Sequence, residues 1–293
     1  MSIGHESALM YTMLCFIGWL DIEDLKQFRQ FGSKTPGHPE RGLTKGVEAT
    51  TGPLGQGIGN AVGMAVAEKI LSTKFGSDIV NHYTYVLHGD GDIQEPVSQG
   101  SIAIAGHYGL GKLIAYYDSN DAQISGKVSR SDSTDYAAFY KSNNWHVIEI
   151  DGHDRSAIRD SIRLAQMEIN RPSVIIGKTI MAKGCANVEG DYNTHGAPLS
   201  PDEIAETKKK LNLNPEDFFY FPDEVKNEME WADIYIQPSI QEGFCNAVLE
   251  AQAMGLLCIV TDAEGLSENV LDGDIRIPPR LRLGVVSTFT VCK

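Results

Sequence analysis

The chain has 293 residues, 42% of them hydrophobic, which is enough to bury the core of one large domain or of two modest ones. Its formal net charge of -14 and the lack of a Lys/Arg cluster in the sequence exclude a nucleic-acid groove, so no nucleic-acid partner is expected. Anionic ligands therefore have to be held locally, by backbone N–H groups or by a metal ion.

The cysteines and the first apolar stretch bear on the compartment. Five cysteines, an odd number without CxxC spacing, indicate neither a disulfide framework nor a zinc site and are typical of a reducing, cytoplasmic location. The apolar stretch at 8–20 follows Glu6 and is too short to span a bilayer, so it predicts a buried helix and no membrane partner. Because this helix starts so soon after Met1, we expect a segment upstream of it to be missing.

The predicted elements begin with two helices, at 8–18 and 22–31, the second with Asp21 as its N-cap. A loop rich in Gly, Pro and Thr follows at 32–57, and its position between predicted helices favours a functional loop over a disordered one. Helices and strands then alternate. The predicted helices are 58–75, 96–108 and 155–168, and the predicted strands are 83–87, 113–117, 145–150 and 174–179.

This alternation predicts an α/β fold with a parallel sheet and helices on both faces, in which ligands collect at the carboxyl ends of the strands. A charged linker at 226–230 is expected to separate a domain at 1–225 from a segment at 231–293. That segment is predicted to contain a short α/β fragment, beginning with a strand-like run at 234–236, and a poorly ordered tail at 278–293.

The strongest local signal is the sequence HGDGDIQE at 88–95, which lies between a predicted strand and a predicted helix. Glycines let the backbone approach a bound phosphate, and a helix start supplies N–H donors. Asp90, the amide of Asn120 and the carbonyl of Ala122 would offer the oxygen ligands that Mg²⁺ prefers. The alternative is that Gly-Asp-Gly is an ordinary turn and that Asn120 is a loop cap.

Three further segments carry a resemblance to a known family: SKTPGHPE at 33–40, VEATTGPLGQG at 47–57 and HGAPL at 195–199. Over about residues 2–225 the chain resembles the N-terminal, diphosphate-binding domain of transketolases. The resemblance implies a thiamine-diphosphate-binding fold and a cytoplasmic, dimeric transferase of the pentose phosphate pathway. It also implies thiamine diphosphate and Mg²⁺ (or Ca²⁺) as cofactors, and transfer of a two-carbon ketol unit between sugar-phosphate substrates, from a ketose to an aldose.

The resemblance also implies a role for each matched position. The implied metal-binding positions are Asp90, Asn120 and the carbonyl of Ala122. The implied cofactor-binding positions are Gly52, Pro53, Leu54, Gly91, Asn120 and His195. The implied catalytic positions are His5, His38, His195 and Glu95. In the family, Glu95 corresponds to an acidic residue at the subunit contact. A lone histidine in a Gly/Pro loop is more often structural, and only the surrounding motifs favour function.

The chain also departs from the family. Nothing in it resembles the pyrimidine-binding domain, from which a partner subunit's glutamate drives deprotonation of the cofactor. Loss of positioned proton transfer costs about 10²–10⁴ in rate, so activity of the chain alone is doubtful. A homodimer, or a separate chain bearing that domain, is the expected partner. Pro96 replaces the usual glycine after Glu95, which a helix's first turn tolerates but which is able to shift the metal loop.

After residue 230 a different resemblance begins. The sequence ADIYIQPSIQEGFCN at 232–246 belongs to a segment, about 231–273, that resembles retaining two-domain (GT-B) glycosyltransferases. Glu242 and Glu250 would be its acidic pair, and the alternative is a helix with two surface carboxylates. A donor site assembled from two domains cannot form from so short a segment.

Three functions are therefore compatible with the sequence. The first is a transketolase-like component that needs a pyrimidine-binding partner. The second is a non-catalytic binding or assembly protein, or a chimera, that retains the fold and for which loss of Asp90 changes nothing measurable. The third is a nucleotide-sugar glycosyltransferase, whose binding would weaken on Glu242→Ala.

Overall fold

The computed structural model describes residues 1–124 and 126–220, and beyond them the strand residues 234–237, 257–261 and 275–277. The chain divides into two compact units, Met1–Phe219 and Tyr220–Lys293. The predicted linker at 226–230, the predicted tail at 278–293 and the acidic pair Glu242 and Glu250 lie outside the described residues.

A four-stranded parallel sheet lies at the centre of the first unit. The strands of this unit are β1 (Thr84–Gly89), β2 (Leu113–Ser119), β3 (Ala122–Gln123), β4 (Gly126–Lys127), β5 (His146–Asp151) and β6 (Ser173–Lys178). The central sheet has the order β1-β2-β6-β5, and β3 and β4 form a separate antiparallel hairpin. Strands β1 and β2 are therefore neighbours, and their carboxyl ends meet at one edge of the sheet.

Helices cover both faces of this sheet. The helices of this unit are α1 (Ser7–Phe16), α2 (Ile22–Lys26), α3 (Gln56–Phe75), α4 (Asp90–Ile93), α5 (Pro96–His107), α6 (Tyr136–Ser142), α7 (Arg155–Met167) and α8 (Pro201–Lys210). α3 and α5 contribute to the core on one face, and α7 packs against the other face. The predicted fold class, a parallel sheet with helices on both faces, is confirmed.

Strand β2 illustrates how the sequence buries both faces. Ala115 and Tyr117 belong to the core cluster that includes α3 and α5, whereas Ile114 packs with Ala165 of α7. Successive side chains of a strand point to opposite faces, so a strand covered on both sides has to be apolar at nearly every position. The sequence LIAYYDS meets this requirement until its last two residues, which reach the carboxyl edge.

Some elements differ from their predictions. α2 ends at Lys26 and not at residue 31, because the chain turns at Arg29, whose positive φ of 62° is incompatible with a right-handed helix. Neither α6 nor α8 is predicted from apolar periodicity. Both are short and begin with local capping: Asp135 accepts from the N–H of Ala138 at 2.9 Å, and Ser200 is the N-cap before Pro201.

The second unit contains three described strands. They are β7 (Ile234–Gln237), β8 (Leu257–Thr261) and β9 (Ile275–Ile277). They pair in parallel in that order. The strand-like run predicted at 234–236 falls within β7.

Candidate functional site

The motif HGDGDIQE begins at the carboxyl end of β1, and Asn120 follows the carboxyl end of β2. The strand register pairs Gly89 with Asp118, which brings the two chain segments side by side. The backbone N–H groups of Asn120 and Asp121 both donate to Asp90 Oδ2, at 3.0 Å and 2.8 Å. The structure thus brings Asp90 and Asn120 into direct contact, although thirty positions separate them in the sequence.

Asp90 is almost fully enclosed by protein. Its side chain is held by the two backbone N–H groups at Oδ2 and by the hydroxyl of Tyr117, which donates to Oδ1 at 2.5 Å. Burial raises the pKa of Asp90, and these three hydrogen bonds oppose that rise because they stabilise the ionised carboxylate. A divalent cation at this carboxylate would favour ionisation further.

The amide of Asn120 is fixed in a defined orientation. Its Nδ2 donates to Asp118 Oδ2 at 2.9 Å, and its Oδ1 accepts from the N–H of Ala122 at 3.0 Å. Asp118 is itself held by the hydroxyl of Thr179. An amide oxygen has two lone pairs, so Oδ1 retains one for a further partner.

The oxygen atoms of Asp90, Asn120 and Ala122 suit a hard divalent cation. A carboxylate, an amide oxygen and a backbone carbonyl are the oxygen ligands that Mg²⁺ and Ca²⁺ take, and Mg²⁺ usually completes its shell with phosphate and water. Among the residues that the structure describes, no three His, Cys, Asp or Glu side chains form a cluster able to hold a metal ion. A cation at Asp90 would thus need amide, carbonyl and ligand oxygens in addition to the carboxylate.

Glycines bring the loop before α3 close to the motif and to His38. A Cβ on Gly52, whose φ is 148°, would lie 3.1 Å from the ring of His38, so only glycine allows this approach. A Cβ on Gly91 would lie 3.4 Å from Leu54 Cδ1. The carbonyl of Pro53 accepts from Gln56 at the start of α3. The positions from Gly52 to Leu54 therefore lie between His38 and the Gly-Asp-Gly turn.

Three histidines that are far apart in the sequence come together beside this loop. The rings of His5 and His195 lie with their centroids 5.1 Å apart. Burial lowers the pKa of His5, and the charges of His195 and His38 lower it further. Burial also lowers the pKa of His195, while the charge of Asp90 opposes the shift. Uncharged imidazoles at neutral pH can both donate and accept hydrogen bonds.

Glu95 is the N-cap residue of α5, and Pro96 occupies the first turn of that helix without interrupting it. The structure therefore shows no break in the helix at Pro96. Gly55 packs against this helix start, because a Cβ added at Gly55 would lie 3.0 Å from Cβ of Glu95. This contact connects the start of α5 to the loop before α3.

Two acidic residues, one within the motif and one at the start of the chain, were not predicted from the sequence as part of the site. Asp92 is fully buried, and its Oδ1 accepts from the N–H of Gly55, which ties the motif to the loop before α3. Glu6 follows His5 directly, and burial together with the charge of Asp118 raises the pKa of Glu6 to about 7. Their position as acidic residues within a Gly-rich or His-containing motif could have indicated them. The proximity of Glu6 to Asp118, however, is seen only in the folded structure.

One histidine of the motif has a structural environment. His88 is fully buried, its ring stacks on Tyr117, and its Nε2 pairs with the hydroxyl of Tyr140 at 2.9 Å. Burial lowers the pKa of His88 to about 4. These contacts are those of a structural residue.

Within the described part of the chain, no helix is both long and apolar enough to cross a membrane.

Comparison with known proteins gives the family. A family model described as transketolase, thiamine diphosphate binding domain, matches residues 1–242. The transketolase of Buchnera aphidicola subsp. Schizaphis graminum is 48% identical over 234 residues, which cover 78% of this chain and 34% of that protein. Transketolase 1 of Escherichia coli K12 is 47% identical over the same length, with the same two coverages.

A crystal structure of transketolase from Campylobacter jejuni has a TM-score of 0.75 and 41% identity, and it covers 78% of this chain and 36% of that one. The chain thus spans about a third of the length of the curated relatives it matches. None of these findings supports the predicted glycosyltransferase resemblance at 231–273, and the family model itself extends to residue 242. The chain belongs to the transketolase family, whose thiamine-diphosphate-binding domain it contains.

Proposed function

We propose that the chain binds thiamine diphosphate through a divalent cation, Mg²⁺ or Ca²⁺, at the carboxyl ends of β1 and β2. The observation that carries this proposal is the anchored carboxylate of Asp90, joined to the oriented amide of Asn120. The proposed cation ligands are Asp90, Asn120 and the carbonyl of Ala122. The proposed cofactor contacts are Gly52, Pro53, Leu54, Gly91, Asn120 and His195.

The reaction we propose is transfer of a two-carbon ketol unit from a ketose phosphate to an aldose phosphate. The cofactor supplies the electron sink for this chemistry. His5, His38 and His195 would bind substrate or diphosphate oxygens, since their position beside the turn and the lowered pKa of His5 and His195 suit uncharged hydrogen-bonding groups. The burial of Asp90 supports exclusion of water from the cation.

Turnover would need groups that this third of the relatives' length does not supply. In the family, a glutamate of the pyrimidine-binding domain acts from the partner subunit. We propose either a homodimer or a separate chain bearing that domain. A surface of α3 with a stripe of small residues, Gly59 and Gly63 beside Met64, supports close approach of a second chain, and Glu95 would lie at that contact. The unpaired cysteines Cys15 and Cys185 support a cytoplasmic location.

The cofactor proposal is tested by calorimetric titration of thiamine diphosphate into the full chain, with Mg²⁺ or with EDTA. We expect binding that requires Mg²⁺ and that weakens at least about 100-fold in Asp90→Ala, because even residues behind a metal ligand cost 10- to 100-fold. Asp160→Ala is the matched control, since it removes a carboxylate that is 67% exposed on α7. It should bind as the unchanged chain does.

Other results would favour the remaining functions. Equal binding by all three proteins would place the cofactor elsewhere. No binding by any of them would refute the cofactor proposal and favour a non-catalytic binding or assembly protein that retains the fold. Ketol transfer is measured separately, with and without a chain that carries the pyrimidine-binding domain, and we expect activity only in the mixture.

A further inference from the structure

Tyr117 occupies a rigid position behind the proposed cation site. It lies near the carboxyl end of β2 and is only 3% exposed. Its ring stacks on His88, with centroids 4.9 Å apart and an angle of 19° between the planes. Tyr136 meets the same ring edge-on at 5.9 Å. These contacts on a sheet strand leave the phenol little freedom to rotate.

The hydroxyl of Tyr117 completes the enclosure of Asp90. It donates to Oδ1 at 2.5 Å, whereas Oδ2 is held by backbone N–H groups of Asn120 and Asp121. The two N–H groups on Oδ2 define one end of the carboxylate, and the phenol defines the other. An ionised carboxylate has about four acceptor positions, so three hydrogen bonds leave one for a cation.

Because an ionised carboxylate oxygen only accepts hydrogen bonds, the phenol of Tyr117 is the donor in this pair. Its hydrogen points at Oδ1 and occupies one acceptor position there, which fixes where the remaining lone pairs are directed.

We propose that Tyr117 is a positioning residue that holds the carboxylate of Asp90 in the orientation required by the divalent cation. This inference rests on the proposed function, because it assumes that a cation binds at Asp90. Groups that orient metal ligands typically contribute 10- to 100-fold to metal affinity. The hydroxyl therefore sets the cation concentration at which the cofactor is retained.

The chain offers a matched control in Tyr140. This residue is also a buried phenol of the same core cluster, and its hydroxyl pairs with Nε2 of His88 at 2.9 Å. It makes no hydrogen bond to Asp90. Tyr140→Phe and Tyr117→Phe each remove one buried hydroxyl without creating a large cavity, so losses of thermal stability should be similar.

The test measures Mg²⁺ at half-saturation of thiamine diphosphate binding in the full chain, and Mn²⁺ binding by electron paramagnetic resonance. We expect Tyr117→Phe to need about 10- to 100-fold more Mg²⁺, and excess Mg²⁺ to restore cofactor binding. For Tyr140→Phe we expect a shift of no more than about 3-fold, since its hydroxyl bonds to His88 and not to the carboxylate of Asp90.

Three outcomes overturn the inference. If the unchanged chain binds the cofactor with Mg²⁺ and Tyr117→Phe has the same Mg²⁺ requirement, Tyr117 does not position the ligand, although the proposed function stands. The same conclusion follows if both variants lose binding equally, because the effect is then one of the core. If the unchanged chain does not bind the cofactor at all, the proposed function fails and the inference fails with it.

Discussion

The loop that carries His38 is held to α1 by two buried hydroxyl groups one helical turn apart. Tyr11 donates to the carbonyl of Pro36 at 2.9 Å, and Ser7 donates to the carbonyl of Gly37 at 2.8 Å. Both donors are fully buried. Since these carbonyls directly precede His38, we predict that Tyr11→Phe loosens the placement of His38 without removing any residue of the cleft.

The magnitude follows from the hydrogen bond that is lost. Leaving the partly buried carbonyl of Pro36 without its donor should cost about 1–3 kcal/mol. For a unit of this size each kcal/mol corresponds to about 2–4 °C, so the melting temperature of Tyr11→Phe should fall by about 2–12 °C. If the loop opens locally, protected amides in it should exchange about 5- to 150-fold faster, which is the same free energy expressed as a rate ratio.

Tyr83→Phe is the matched control, because its hydroxyl donates to the carbonyl of Gln166 at the same 2.9 Å. Hydrogen exchange with mass spectrometry should show faster exchange at Arg29 and Thr51, whose N–H groups bond to loop carbonyls, in Tyr11→Phe alone. Equal exchange in the two variants, at equal loss of melting temperature, would refute the idea that Tyr11 holds the loop.

Two further predictions concern packing and pH. Gly106→Ala should destabilise the fold by more than about 3 kcal/mol in urea unfolding, because its Cβ would lie 1.7 Å from the backbone oxygen of Asn143. Gly100→Ala on the same helix has open space and should gain about 0.5–1 kcal/mol; similar values for both would contradict the packing. Burial and Asp118 raise the pKa of Glu6 from 4.5 to about 7, so the folded chain binds this proton more tightly than the unfolded one, and stability should fall as pH rises through that window. Glu6→Gln should therefore be more stable than the unchanged chain at pH 8 and equal to it near pH 4, and a constant difference across this range would contradict the assignment.

The alternating helices and strands could be predicted because each buried strand is apolar on both faces, as β2 shows, and because α3 and α5 are long enough for their pattern to be read. The proximity of Asp90 and Asn120 was equally accessible, since the carboxyl ends of neighbouring parallel strands meet. The roles implied for these residues remain predictions.

Other features depend on contacts that no local pattern encodes. The contacts of Tyr117 and Glu6 form only when β1, β2 and the first residues of the chain come together. The residues next to Tyr117 and Glu6 in the sequence therefore do not predict these contacts. The end of α2 was missed for a similar reason: Phe28 satisfies helical periodicity, yet it packs against Tyr11 from a turn. α6 and α8 depend on capping rather than on a long apolar face.

The central claim is that Asp90 and Asn120 together hold the cation of a thiamine diphosphate complex. Crystals grown with the cofactor and Ca²⁺ test this claim most directly. Anomalous diffraction locates the calcium ion independently of the protein model. We expect one peak about 2.3–2.6 Å from a carboxylate oxygen of Asp90 and from Oδ1 of Asn120. Bound cofactor with the peak elsewhere, or with no peak at this turn, would contradict the account.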